Sequence, residues 1–196
     1  RDIGENLNLV RLNVSVVEAP DVVVPRIVGA SLNLSTGLMT MTASETLDTT
    51  PPTLVNLSTI FIVDAGNSGE YNFSVPLVGT LPNYELWLDR NRLTRLRGQA
   101  NVTAMDGMTI TLQLSEPQRV AALQISNQPG GDGTTVALNV TRNSVHDVAG
   151  NPNSDDMLVP VIEHPDIIAP TLASADVDYI TGIITITASE TIDTTG

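Results

Sequence analysis

The sequence predicts an all-β protein, an antiparallel two-sheet sandwich repeated in tandem with a period of 145 residues. Three observations predict it. Residues 1–51 align without a gap with residues 146–196, and 21 of the 51 pairs are identical. Apolar residues recur with a period of two, the spacing of strands that turn one face to a core and the other to water. Turn chemistry then separates the strands: Thr36-Gly37, Asp48 to Pro52, Asp64 to Gly69, Asp106-Gly107, Pro129 to Gly133 and Asp147 to Asn153.

In chain order, residues 1–22 match the end of a repeat, 23–167 make one complete repeat, and 168–196 are the first strands of the following one. The chain thus reads as an excerpt of a longer serial protein. A unit of 145 residues is long enough to bury roughly 70% of its unfolded surface without staples, consistent with the absence of cysteine. Glu18 to Pro25 and its copy Glu163 to Pro170 each place two prolines around a short apolar run. Proline donates nothing to a ladder and holds the preceding residue extended, so these stretches are stiff junctions.

Beyond the junction the alternation is plain. Met39, Met41 and Ala43 alternate with Thr40, Thr42 and Ser44; Tyr71, Phe73, Val75 and Leu77 follow the same rule, as do Met108, Ile110, Leu112 and Leu114, and then Val136, Leu138 and Val140. Seven or eight short strands are expected per unit, with no helical segment and with extra strands or long loops between residues 60 and 105.

A Pro-Thr opening after the junction (Ala169-Pro170-Thr171), a glycine-centred hairpin into a strand ending Ser-Glu-Thr-Ile-Asp (189–193), and a closing Asp-Val-Ala-Gly-Asn (147–151) resemble the tandem bacterial-type immunoglobulin-like domains of extracellular surface, adhesin and fibre proteins. The resemblance implies an Ig-like β-sandwich strung in series. It implies no catalytic residues, and no cofactor is expected beyond the glycans and the calcium candidates considered below.

The net charge is −13, and all nine basic residues are arginine. Such a surface repels polyanions, so nucleic acid is excluded as a general partner. No apolar run approaches the length of a membrane span, so this segment is not expected to insert in a membrane.

Six Asn-x-Ser/Thr sequons stand at Asn13, Asn33, Asn56, Asn72, Asn101 and Asn139, against about three expected by chance. Their middle residue is always apolar. On a strand, that spacing turns the asparagine and the hydroxyl outward together while the middle side chain enters the core. Covalent N-linked glycans are therefore expected in a eukaryotic secretory source; the competing reading is that these are simply polar strand exteriors. Individual sites are expendable, because Asn33 becomes Asp178 and Asn13 becomes Leu158 in the next copy.

Arg90, Arg92, Arg95 and Arg97 cluster beside Trp87, the only tryptophan. They read either as a docking patch for acidic faces of a neighbouring domain or as a solvated strand and turn balanced by Glu85 and Asp89. Asp147, Asn151, Asn153, Asp155 and Asp156 gather oxygens in the closing loop, and calcium takes about six to eight of them. Their spacing is not that of an EF-hand, and Val10 and Arg11 replace the last two acids in the earlier copy, so ordinary Asx turns compete with calcium.

No nucleophile elbow, phosphate loop or zinc-protease motif is present, so no enzyme is expected. The expected function is a structural repeat of an extracellular or cell-surface fibre, partnered by adjoining copies of itself. Those copies complete the strands of residues 1–22 and 168–196, along one chain or by strand donation. The alternative is the stalk or binding module of a cell-surface adhesin recognising a glycan or another cell. It has few aromatics to work with: one Trp, three Tyr and two Phe.

Overall fold

The computed structural model describes residues 3–5, 15–66, 74–77, 86–87, 93–94, 100–103 and 105–193. The chain is predominantly strand, as the period-two alternation requires. β1 (Ile27–Asn33) and β2 (Leu38–Asp48) form an antiparallel hairpin. Its turn closes through the Gly37 N–H donating to the Asn33 carbonyl at 2.8 Å. Gly37 sits at φ +69°, a left-handed conformation that penalises any residue with a Cβ. Two 3₁₀ turns, Pro52–Leu54 and Leu57–Thr59, lead into β3 (Ile60–Asp64).

Short strands follow: β4 (Ser74–Pro76), β5 (Leu86–Trp87), β6 (Leu93–Thr94) and β7 (Asn101–Thr103). They fall where extra strands were expected. β8 (Gly107–Gln113), helix α1 (Glu116–Gln124), β9 (Val136–Val140), β10 (His146–Asp147) and β11 (Asp156–His164) complete the unit. After the junction come β12 (Leu172–Asp178) and β13 (Ile183–Ala188).

The main sheet runs β4-β3-β9-β11-β1-β2-β8-β7, with β10 paired to β2. β5 with β6 and β12 with β13 are separate two-stranded ribbons. One neighbour pair departs from the expected antiparallel rule, since β1 and β11 run parallel, from Ala30 opposite Val161 to Asn33 opposite His164. The cause is connectivity. β1 opens the unit and β11 closes it, and a chain that enters at one end and leaves at the other carries both in the same direction.

β11 also changes partners along its length. Asp156, Val159 and Pro160 pair with β9, and the residues from Val161 onward pair with β1. A register shift at Met157 and Leu158 makes the change, with Leu158 at φ +54°. Pro160, which has no N–H to give either ladder, stands at the hand-over.

α1 corrects the expectation of no helix. Ser115 caps it, with its backbone N–H and its hydroxyl donating to Gln118 Oε1 at 3.0 and 2.9 Å. Pro117 stands in its first turn, where a missing N–H costs nothing. Ala121 and Ala122 of α1 join the core.

The core is one contiguous cluster. It takes Leu32, Met39, Met41, Ile110 and Leu112 from one end of the sheet path and Ile60, Ile62, Leu138 and Val140 from the other. All its members lie between Ile27 and Val161, so the unit encloses its own core without β12 or β13.

Equal repeat positions therefore have unequal weight. Met41 is fully buried, whereas its counterpart Ile186 is 58% exposed. Met41→Ala is expected to destabilise by about 2–5 kcal/mol, and Ile186→Ala by less than about 0.5 kcal/mol in the isolated chain. Urea melts followed by circular dichroism measure both, and equal costs would show that the second hairpin is packed.

Candidate functional site

The most highly connected polar group among the described residues lies where the closed unit meets the next hairpin. Arg119, one turn into α1, is 5% exposed. Its Nε and Nη2 donate to the two oxygens of Glu116 at 2.7 and 2.8 Å, a bidentate pair on neighbouring turns. Nη1 donates to the Leu34 carbonyl at 2.7 Å and to Asp166 Oδ2 at 2.5 Å. Nη2 also reaches Glu190 Oε2 at 3.1 Å. One guanidinium thus ties together the helix, the β1–β2 turn, the junction and the far hairpin.

The junction is fastened by further bonds. Ser35 Oγ donates to the Pro165 carbonyl at 3.2 Å and accepts from the Ile167 N–H at 2.9 Å. The Ile168 N–H donates to Asp166 Oδ1 at 3.0 Å, and the Thr191 N–H donates to Glu116 Oε1 at 2.9 Å.

These contacts shift the local acidities. Hydrogen bonds from Arg119 hold the Glu116 carboxyl down at about 2, against the opposing effect of burial. For Asp166 burial pushes upward, yet the Ile168 N–H, Arg119 and Ser35 outweigh it and leave the carboxyl lowered. The guanidinium is raised by Glu116 and Asp166 against the effect of burial.

The opposite end of the unit carries an acidic cluster. Carboxylate oxygens of Asp21, Glu45 and Asp147 all lie within 4.8 Å of one another. Glu45 Oε1 is buried without a hydrogen-bond partner. Burial, then Asp21 and Asp147, raise the Glu45 carboxyl. Burial opposes ionisation of Asp147 as well, but the side chain and backbone of Asn151 hold it lowered.

The calcium set expected in the closing loop does not converge. Asn153 is fully buried, and its Oδ1 accepts from the Ser144 and Val145 N–H groups at 2.8 and 3.1 Å. Asp155 accepts from the Arg142 N–H at 2.7 Å. Asp156 is committed to Arg26 Nε at 2.8 Å and to the Ile27 N–H at 2.7 Å. Asn151 donates to Asp147 and to the Asp21 carbonyl. Backbone donors and arginine therefore engage these side chains, and among the described residues Asp147 is the one of the five that belongs to an acidic cluster.

Four sequons fall within the described residues. The middle residue of each, Leu34, Leu57, Val102 and Val140, is buried. Asn56 and Asn101 are exposed. Asn33 and Asn139 are half-buried: Asn33 Oδ1 caps its own turn through the Ser35 and Thr36 N–H groups, and Asn139 Oδ1 accepts from Leu158 at 2.9 Å. Asn13, Asn72, Arg90, Arg92, Arg95 and Arg97 lie outside the described residues.

Sequence reasoning missed Arg119. The available signals were the Ser115 to Gln118 capping pattern, the Glu116–Arg119 spacing, and the identity of Asp21 with Asp166 and of Glu45 with Glu190 across the repeat. No known protein family, characterised protein or solved structure matches the chain.

The arginine joint should be pH-dependent in one direction. Glu116 and Asp166 have pKa values lowered by folding, so their contribution is complete above the ordinary carboxyl range near 4.5 and is lost as pH falls toward about 2. Hydrogen exchange is expected to show β12 and β13 loosening across that interval while β2 and β9 stay protected. Arg119→Ala should produce the same loosening at neutral pH, because it strands partly buried carboxylates. Unchanged exchange in β12 and β13 would refute the latch.

Proposed function

We propose that this chain is a stretch of serial Ig-like β-sandwich repeats that build an extracellular, N-glycosylated fibre or stalk, with strands completed by neighbouring repeats. The observation that carries the reading is the duplicated hairpin. β12 and β13 reproduce β1 and β2 at an offset of 145 residues, including the register shift after the first residue. Gly182 repeats the left-handed φ of Gly37, and its N–H donates to the Asp178 carbonyl at 2.8 Å as that of Gly37 does to Asn33. Yet Val177 and Ile192 are 43% and 44% exposed, where Leu32 and Leu47 are fully buried. A face built for a core lacks a core.

In the closed unit the edges of the first hairpin pair with β8 and β11, and its apolar face shares the core with residues of β3 and β9. Residues 11–19 stand 145 positions before β11, so the sequence also carries a second copy of the segment that closes a unit. Supplying the missing strands from adjoining repeats, along one chain or by donation between copies, gives each hairpin the environment of the first.

What supports the sandwich is the shared core: both halves of the main sheet path contribute to one cluster, as they do when a path folds back on itself in two layers. What supports glycosylation and an extracellular location is the sequon geometry, with apolar middle residues buried in all four described sequons and Asn56 and Asn101 exposed. The acidic surface favours long assemblies that stay soluble.

Electron microscopy of native material, with glycopeptide mass spectrometry, tests the reading. Filaments of serially joined beads are expected, with sugar on Asn56 and Asn101 and lower occupancy at Asn33 and Asn139. Globular particles bearing bare asparagines would overturn it.

A further inference from the structure

The two ends of the closed unit carry matching chemistry. At the exit, Arg119 is seated between the carboxylates of Asp166 and Glu190. At the entrance stand Asp21 and Glu45, the residues 145 positions earlier. Their settings are alike. The Val23 N–H donates to Asp21 Oδ1 at 3.0 Å as the Ile168 N–H does to Asp166 Oδ1 at 3.0 Å. The Arg26 N–H donates to Ser44 Oγ at 3.0 Å as the Thr171 N–H does to Ser189 Oγ at 2.9 Å. Glu45 and Glu190 each bury one oxygen, Oε1, that has no partner. They differ in two respects: Asp147 stands beside Asp21 and Glu45, and among the described residues no basic side chain forms an ion pair with either of them.

We propose that Asp21 and Glu45 are the acceptor for the Arg119 guanidinium of a second copy of this unit, so that units join head to tail through the arginine joint seen inside the chain. An acid cluster alone would suit many cations. The occupied copy selects among them, because Asp166 and Glu190 hold a guanidinium. The incoming helix also brings Glu116, which accepts from the Thr191 N–H and would meet Thr46 at the equivalent place. Uncompensated charge at the entrance, where Asp147 adds a third carboxylate to the pair, is relieved when the arginine arrives. Because donor and acceptor sit on different ends, the contact is heterologous and leaves each added unit with a free end. This inference rests on the serial-repeat reading and supplies its joint.

The test uses residues 20–164, which hold the whole core and expose both ends. Sedimentation velocity should show concentration-dependent head-to-tail association. Arg119→Ala, or Asp21→Asn with Glu45→Gln, should weaken it at least about thirtyfold, the loss expected on breaking a desolvated charge pair. Arg119→Glu and Glu45→Arg chains should each stay monomeric, yet form a heterodimer when mixed, which also shows that both are folded. Absence of association, or association indifferent to these substitutions, overturns the proposal. Calcium binding that is lost in Asp21→Asn while association ignores Arg119 overturns it in favour of a cation site. Electron micrographs of native protein separate the two readings: filaments there, with units that ignore the substitutions, remove the joint and keep the serial repeat, whereas globular particles remove the serial repeat itself.

Discussion

The structure depends on β11 serving two ladders. Its first residues pair with β9 and its last with β1, so one strand joins the two halves of the sheet path over a common core. The change of partner requires the shift at Met157 and Leu158, and it places a leucine at φ +54°, where a side chain costs about 1 kcal/mol or more. Asp156 anchors the same strand at its start. It is 2% exposed and binds Arg26 and the Ile27 N–H, fixing the first residue of β1 to the first residue of β11. With both strands pinned and parallel, the chain must leave the unit at the end opposite its entry. The proposed serial arrangement draws on this polarity of entry and exit.

That exit explains the position of the junction. His164 ends β11 with its carbonyl accepting from the Leu34 N–H at 3.0 Å, and Pro165 follows at once under the β1–β2 turn. Ser35 of that turn holds the junction on both sides of Asp166. The helix absent from the sequence expectation lies where its first turn can present Arg119 to the departing chain. The latch therefore comes from four segments that the fold, not local sequence, brings together.

This also accounts for what could be read from the sequence. Met39, Met41, Ile110, Leu112, Leu138 and Val140 were legible because strand burial writes itself as alternation within a few residues. The parallel β1–β11 pair was not, since alternation reports which face is buried and not which strand lies alongside. α1 was hidden by its nine-residue length and by polar residues on the face that buries Gln118 and Arg119. The Arg119 partners Asp166 and Glu190 lie 47 and 71 residues away, beyond any local pattern. The closing loop follows the Asx-turn reading that competed with calcium. Asx side chains bunched in sequence are the ones most readily consumed by nearby backbone N–H groups, as Asn153 and Asp155 are here.

Why the unit should be latched by charge rather than by more apolar surface follows from the hairpin itself. A two-stranded ribbon with one apolar face is marginal alone and would bury that face against any sheet edge it met. An apolar latch would add to that promiscuity. A buried guanidinium among carboxylates contributes little net stability, because desolvation offsets most of the attraction, but a misplaced partner leaves it unpaired at a cost of several kcal/mol. In a chain of net charge −13 with nine arginines and no lysine, one arginine committed to the junction sets which surfaces are allowed to meet. The apolar face can then do the stabilising once the correct neighbour is in place.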